Sequence, residues 1–339
     1  MRIENIETAE LTRGGQRPLV TVLLSCFNHE EFLPQALEAI AAQSYESIFL
    51  LVTDDASEDK SADVIEDFLR TYSGESLFLK NAHNLGFTAT LNRARPHVRG
   101  EYLNIISADD WMEPNHIERK VAALQALGPR YGMCYGDAYR ANQAGDRLDC
   151  TFLDVRFDDL ERPSGFVFPQ LVRGNFIPAH SVVVRRAVFD AVGDYDESLL
   201  AEDYDMFLRI ARVSMVACVP EPLVTYRAVE GSLFRTTGLT RKRMDEIAAL
   251  SKHVGTSRDL DEILEDKIAF LAKSLYRVGR NPELTRKDLR PVLRRSPRLE
   301  NLAYFVAASL GLAWDDVRRV GLIVGRTPIG KVLRRYVRV

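Results

Sequence analysis

Leu19-Val-Thr-Val-Leu-Leu-Ser25 follows Pro18 as a short apolar run rich in β-formers. It shows no polar alternation and is too short for a helix, so it reads as a buried strand. Its surroundings repeat the theme. Phe32, Ala36, Leu37 and Ile40 recur at helical spacing, and Ile48-Phe-Leu-Leu-Val-Thr53 is a second buried strand. Val64, Ile65, Phe68 and Leu69 mark a second helix, with Ser61 expected as its N-cap. Leu77-Phe-Leu-Lys80 and Tyr102-Leu-Asn-Ile-Ile106 give two more strands, separated by a short helical stretch from Thr88 to Arg95. A helix from Asn115 to Leu127 closes the series.

Strands alternating with helices imply an α/β fold, a mainly parallel sheet flanked by helices. Right-handed crossovers place the carboxyl ends of the strands along one edge, where open α/β sheets bind ligands. Four polar clusters follow the four strands: Ser25 to Asn28, Asp54-Asp55, Asn81 to Asn84, and Ser107 to Asp110. Their arrival on one edge points to a site.

The middle segment, Tyr131 to Tyr226, reads as short strands and loops, with Ser181 to Arg185 a strand and Arg186 to Val192 a helix ended by Gly193. Glu202 to Ala211 is another helix. After Gly238 the pattern is almost wholly helical: Arg241 to Lys252, Asp259 to Val278, Thr285 to Leu293 and Asn301 to Leu312. Three parts follow: a polar extension over 1–17, an α/β domain over 18–234 and a basic helical region over 235–339. From Arg235 onward the chain carries 23 Lys+Arg against 12 Asp+Glu, a balance of +11, while the remainder stands at −14. At 46% hydrophobic and 27% charged residues the composition excludes a disordered or collagen-like chain. Cys26, Cys134, Cys150 and Cys218 form no CxxC pair, so reduced thiols and a cytoplasmic setting are expected. The first 17 residues have no signal-peptide core, and the longest apolar stretch, Leu302 to Trp314, is shorter than the ~20 residues a spanning helix needs.

The edge offers carboxylates rather than a glycine-rich phosphate cradle, because neither GxGxxG nor GxxxxGK[ST] occurs at the strand ends. Carboxylates repel a pyrophosphate directly but hold it through a hard cation such as Mg²⁺ or Mn²⁺. Asp109-Asp110 is the natural pair; the plainer alternative is that it opens a loop ahead of Pro114. His29, His83, His97, His116, His180 and His253 show no zinc spacing. His180 either faces the acceptor or is a satisfied structural histidine. No Gly-x-Ser-x-Gly elbow suggests a hydrolase.

Val20-Thr-Val-Leu-Leu-Ser-Cys-Phe-Asn28, Thr53-Asp-Asp-Ala-Ser-Glu-Asp59, Asn84-Leu-Gly86 with Asn92, and Gly100-Glu-Tyr102 with Ser107-Ala-Asp-Asp110 together resemble the family-2 glycosyltransferases. Gly193-Asp-Tyr-Asp196 and Ala201-Glu-Asp-Tyr-Asp-Met-Phe-Leu-Arg209 match that family's later signature, so the resemblance covers Pro18 to Ser232. It implies a GT-A fold and inverting transfer from a nucleotide-sugar donor, UDP- or dTDP-linked, to a hydroxyl on a glycan or lipid-linked acceptor. By position, Ser25, Phe27 and Asn28 lie against the nucleoside, and Asp55 accepts the N3–H of a uracil-type base. Asp54 shares that place or caps the next turn, which Ser57 serves. Asn84 and Asn92 line the site or make turns. Asp109 and Asp110 fall on the metal motif, with Asp109 also beside the nucleotide. Asp203 falls on the catalytic base and Glu202 orients a neighbour or the acceptor; the same acidic pair also suits a helix start.

Two positions depart from the family pattern. Ser107 stands where a first Asp is common, and Val229 in Tyr226-Arg-Ala-Val-Glu-Gly-Ser232 replaces a His. The cation would then rest mainly on Asp110, diphosphate and water. The Gln-x-x-Arg-Trp motif of processive synthases is missing, which favours single addition. Two rivals stand beside this reading: a nucleotidyltransferase, disfavoured by the acidic Asn28-His-Glu-Glu31, and a catalytically silent nucleotide-sugar-binding protein, kept open by Ser107 and Val229. Near the end, Ile329, Val332, Leu333 and Tyr336 share a helical face with Lys331, Arg334, Arg335 and Arg338 around it. Such a helix suits an anionic membrane surface, placing the protein peripherally on the inner face of the cell membrane. Alternatively it packs on the chain itself or on a second copy in a homo-oligomer. Nothing points to nucleic acid.

Overall fold

The computed structural model describes residues 17–155, 162–232, 236–279, 281–295 and 297–312. Contacts divide the chain into two compact units, Met1–Thr236 and Thr237–Val339. In the first, eight strands form one sheet: β1 (Val20–Cys26), β2 (Ile48–Asp54), β3 (Glu75–Lys80), β4 (Tyr102–Ser107), β5 (Trp111–Met112), β6 (Tyr131–Ala141), β7 (Val183–Arg185) and β8 (Met215–Arg227). Their order is β3-β2-β1-β4-β7-β6-β8-β5.

The first four strands are parallel, and Ser25 pairs in register with both Thr53 and Ser107. Their carboxyl ends therefore line one edge. Every residue of β1 and β2 is buried, because helices cover both faces. Val20, Val22 and Leu24 share a core with Leu33, Leu37 and Ile40 of α1 (Leu33–Ala41) and Ile117, Val121 and Leu124 of α4 (His116–Leu127). Between them in sequence lie α2 (Ser61–Thr71) and α3 (Phe87–Ala94). Ser61 is the first helical residue of α2, not its cap; its hydroxyl instead accepts the His29 N–H at 2.9 Å. Gly100 admits the turn into β4. Its φ is +76°, and a Cβ there would lie 2.2 Å from the Leu19 carbonyl oxygen.

The far half is mixed. β7 runs antiparallel to β4 and β6, β5 antiparallel to β8, and β6 parallel to β8. β6 and β8 have 11 and 13 residues, so the segment expected as short strands and loops holds the two longest strands. Gly132, Gly136 and Asp137 in β6, and Pro220 and Pro222 in β8, disguise them. The register shifts around Gly136 and Asp137 are the bulges that accommodate such residues. Ser181 lies in a 3-10 turn, Ala179–Ser181, ahead of β7 rather than in the strand. Its hydroxyl donates to Pro178 O at 2.7 Å and accepts Gly136 N–H at 3.2 Å. α5 (Phe168–Arg173), α6 (Arg186–Val192) and α7 (Glu202–Val213) complete this unit.

The second unit is helical in its described residues: α8 (Leu239–Ser251), α9 (Arg258–Gly279), α10 (Pro282–Arg295) and α11 (Leu299–Ser309). Leu250, Leu264, Leu271, Leu275, Leu289 and Tyr304 are buried there. Among the described residues no helix is long and apolar enough to cross a membrane. The basic run of Ile329 to Arg338, the first 16 residues of the polar extension, and the expected boundary at 234/235 lie outside the described residues.

Candidate active site

The polar strand ends are stitched to each other before they meet any ligand. Asn28, at φ +55°, donates its N–H to Ser57 Oγ (2.8 Å) and accepts Glu58 N–H (2.8 Å) on its side-chain oxygen. Glu30 N–H reaches Asp59 Oδ2 at 3.0 Å, and Lys60 N–H reaches Glu30 Oε2 at 2.7 Å. Asp54 accepts both the N–H and the hydroxyl of Ser57, so it serves the turn after β2. Ser25 is buried at the end of β1, while Phe27 just beyond it stays 41% exposed. An exposed aromatic ring at a strand end can stack on a planar ligand.

Asp55 is 3% exposed and organises the next loop. Its Oδ1 accepts from Asn81 Nδ2 (2.6 Å) and Leu85 N (2.8 Å), its Oδ2 from Gly86 N (2.8 Å). A carboxylate has about four acceptor sites, so roughly one is left open. Asn84 accepts Gly86 N–H at 3.0 Å, a local turn on an exposed loop. Asn92 grips the acidic-side loop, accepting Tyr195 N–H (2.9 Å) and donating to Tyr195 O (3.0 Å) and Glu197 Oε1 (2.9 Å).

Asp110 is buried where β4 gives way to β5. Its Oδ1 accepts Arg227 N–H at 2.9 Å, and its Oδ2 faces His180 Nδ1 at 3.5 Å. Burial, then the Asp109 charge, hold its carboxyl well above the usual range, against the lowering effect of Arg227. Asp109 Oδ1 is buried without a hydrogen-bond partner. The Arg227 guanidinium is fully engaged in structure. It donates to Asp109 O (2.9 Å), Gln143 O (2.9 Å) and Gln35 Oε1, and lies 4.8 and 4.7 Å from the Phe32 and Trp111 ring centroids. His180 stacks on Tyr226, centroids 5.4 Å apart and planes 11° from parallel. Burial lowers its pKa to about 3, so the imidazole is neutral.

Glu202 and Asp203 open α7 with Asp205, three acids in its first turn. Asn175 Nδ2 lies 3.4 Å from Asp203 Oδ2. Burial pushes the Tyr195 phenol up, with the charges of Glu202 and Asp203 adding to the effect. A cavity of about 120 Å³ gathers these groups: Ser107, Asp110, His180, Tyr195, Glu202 and Asp203 all line it, above apolar walls that include Leu103 and Phe207. Thus Asp110 and the Glu202-Asp203 pair, far apart in sequence, share one space. Ser25, Phe27, Asn28, Asp55 and Asn84 do not line it; they belong to the neighbouring stretch of the same edge.

No cluster of three or more His, Cys, Asp or Glu suited to a metal occurs among the described residues. The donor set present nevertheless fits a hard cation in part. It holds two adjacent carboxylates, Asp110 buried and Asp109 half-buried, whose mutual charge helps raise the Asp110 pKa, and one orphaned oxygen on Asp109.

The sequence left His180 between two roles, gave Arg227 none, and did not single out Tyr195 within its motif. The signal for His180 was its place before a strand beside Pro178. For Arg227 no pattern reveals that one side chain ties β5, the turn after β6 and α1 together.

Comparison with known proteins agrees with this architecture. Residues 21–160 match the family described as Glycosyl transferase family 2. An uncharacterized glycosyltransferase of Rickettsia typhi is 26% identical over 234 residues, covering 69% of this chain and 70% of the relative. One from Rickettsia felis is 28% identical over 200 residues, but this chain spans only 32% of its length. Among solved structures, Staphylococcus aureus TarS 1-349 with UDP-GlcNAc superposes with a TM-score of 0.58 at 13% identity, covering 86% of this chain and 79% of that one. A Pyrobaculum calidifontis mannosyltransferase with GDP-Man and Mn²⁺ gives 0.56 at 16%, covering 89% and 88%. The shared fold is GT-A.

Proposed function

We propose that this chain, which carries a family-2 glycosyltransferase domain over residues 21–160, moves a sugar from a nucleoside diphosphate to an acceptor hydroxyl with inversion. The observation that carries this reading is the shared cavity, with Asp110 and the Glu202-Asp203 pair in its lining. Inverting transfer needs an anion-handling group at the departing diphosphate and a base on the opposite face of the sugar. TarS and the mannosyltransferase bind nucleotide-sugars, which supports a donor of that class here.

In this mechanism the base rests on Phe27, and the Asp55 loop, pinned through Leu85 and Gly86, shapes its pocket. Asp109 and Asp110 would hold a divalent cation, Mn²⁺ or Mg²⁺, which when bound neutralises charge on the diphosphate. Asp203 takes the proton from the acceptor hydroxyl as that oxygen attacks the anomeric carbon. Glu202 orients the acceptor. Asn175, beside Asp203, fixes the direction of its carboxylate. Asn92 holds Tyr195 and hence the acceptor wall. The acceptor is a glycan or lipid-linked hydroxyl.

Incubating the purified chain with UDP-, dTDP- and GDP-sugars and measuring nucleoside diphosphate release tests the reading. Release is expected with at least one donor and is lost in Asp203→Asn; silence across the panel with either cation refutes it. The +11 balance after Phe234 supports docking on an anionic bilayer. Sedimentation with anionic vesicles but not with neutral ones is the expected result; equal, negligible binding to both refutes it.

A further inference from the structure

In the helical unit a basic segment runs directly into an uncharged one. Between Asp288 and Glu300 the chain carries Arg290, Arg294, Arg295 and Arg298 and no acid, and from Asn301 to Leu312 it carries no charge. A helix without charges is ordinarily buried all round. One face of α11 is: Asn301, Tyr304, Ala307 and Ala308 are buried. The opposite face is not. Leu302 and Val306 are each 46% exposed and Leu310, just past the helix end, is 68% exposed. Their i, i+4 and i+8 spacing makes them one stripe, bordered by exposed Ala303 and half-buried Phe305. At the far end the Tyr276 hydroxyl donates to Leu312 O, and Arg277 Nε donates to the Tyr304 hydroxyl at 2.7 Å. These bonds bring the end of α9, with exposed Arg277 and Val278, against the end of α11. On the other side α11 packs on α10. There Lys287, Arg290 and Arg294 are exposed at i, i+3 and i+7, a basic stripe on the helix next to the apolar one. Arg295 and Arg298 are shared with Glu265, Glu262 and Asp266.

We propose that this face docks on an anionic lipid bilayer, with Leu302, Val306 and Leu310 entering the boundary between headgroups and acyl chains and Lys287, Arg290 and Arg294 meeting lipid phosphates. This deepens the bilayer docking proposed above, which rests on net charge alone, by giving it an insertion surface. Size and charge select the partner. At 1.5 Å per residue the stripe is about 12 Å long and one helix, roughly 10 Å, wide, an area on the order of 100 Å². A stable protein interface buries about 800 Å² on each partner, so the stripe is too small to hold a second copy by itself. A bilayer sets no such minimum. It takes a few aliphatic side chains to a depth of about 5–10 Å and adds the attraction of its anionic headgroups for nearby Lys and Arg. Long basic side chains also keep their charge in the headgroup layer while their stems cover apolar surface.

The test is sedimentation of the full chain with phosphatidylglycerol-rich vesicles and with phosphatidylcholine vesicles. Wild type should bind the first and not the second. Leu302→Ser combined with Val306→Ser and Leu310→Ser should weaken binding to the anionic vesicles at least about tenfold, because three aliphatic side chains no longer enter the bilayer. Lys287→Gln with Arg290→Gln and Arg294→Gln should weaken it too and flatten its dependence on salt. In both variants the unfolding temperature, and nucleoside diphosphate release without vesicles, should match wild type. Val306→Trp keeps the stripe apolar; it should bind like wild type and add blue-shifted emission on binding. Undiminished vesicle binding by the serine variant, or unshifted emission from bound Val306→Trp, overturns the proposal and leaves docking by net charge standing. Wild type that binds neither vesicle overturns both. A dimer that the serine changes dissociate, or a lowered unfolding temperature in that variant, overturns the proposal by placing a second copy or the chain itself on the stripe. Nucleoside diphosphate release is read separately, so the glycosyltransferase reading stands or falls by its own assay.

Discussion

The two halves of the sheet solve different problems. The β1–β4 half packs mainly through apolar contacts: its two central strands are buried at every residue, their apolar side chains meet apolar helix faces, and polar groups such as Asp54 and Asp55 are buried at the strand ends. The half built from β5–β8 keeps polar groups inside, among them His116, Lys120, Asp137, His180 and Arg227. Most are paired. Asp137, for example, accepts Ala138 N–H (2.8 Å), Leu153 N–H (2.9 Å) and the Thr151 hydroxyl (2.7 Å). The comparison teaches that apolar packing dominates one half of the sheet and buried polar contacts the other, while both halves contribute residues to the site. One half supplies the strand ends that carry Asp55 and Asp110, and the other spends part of its core on Arg227 and His180, which contact Asp110.

The largest expected effect tests the chemical half. Asp203→Asn should lower the transfer rate by about 10²–10⁴ with donor affinity unchanged. A variant keeping more than about a tenth of the rate would move the base elsewhere. On the scaffold side, Leu23→Ala, in the middle of β1 and 1% exposed, should cost about 2–5 kcal/mol in chemical denaturation. Should the surviving folded fraction also lose specific activity, the packing of β1 bears on the site as well as on stability.

Asp55→Ala sits on the border between them. Removing one charge-assisted hydrogen bond, with the loop it anchors, should weaken UDP binding roughly ten- to a hundredfold by calorimetry. Equal affinity would place the nucleotide away from this loop.

Lys120 gives the smallest effect and the subtlest. It is fully buried, its ammonium has no hydrogen-bond partner, and burial lowers its pKa. Lys120→Met should stabilise the protein by about 1–2 kcal/mol at neutral pH. The folded state holds the proton less tightly than the unfolded chain does. Wild-type stability therefore climbs as pH rises from the lowered folded value toward the ordinary lysine range, and the advantage of Met should shrink over that window. A gain that grows with pH would contradict this account.

The scaffold half was legible because its physics is local. Unbroken apolar runs of strand length, separated by helical periodicity, admit one arrangement, and the strand ends then carry Asp55 and Asp110 to one edge. The far half hid itself. Prolines and glycines that usually end strands were absorbed by bulges in β6 and β8, since a bulge needs no regular ladder partner. Ser61 was misplaced as a cap because its hydroxyl serves a neighbouring loop through His29 rather than its own helix.

By itself, then, the sequence determined the α/β alternation, the polar edge and the acidic residues that could act there. Those follow from periodicity and residue chemistry, which are properties of short windows. Only the tertiary structure decided that Asp55 spends most of its acceptors on Asn81, Leu85 and Gly86, and that Arg227 is saturated by carbonyls and rings. It alone set a neutral, half-satisfied His180 against Asp110. A side chain's remaining capacity for a ligand depends on which partners the fold brings to it, and those partners come from elements far away in the chain.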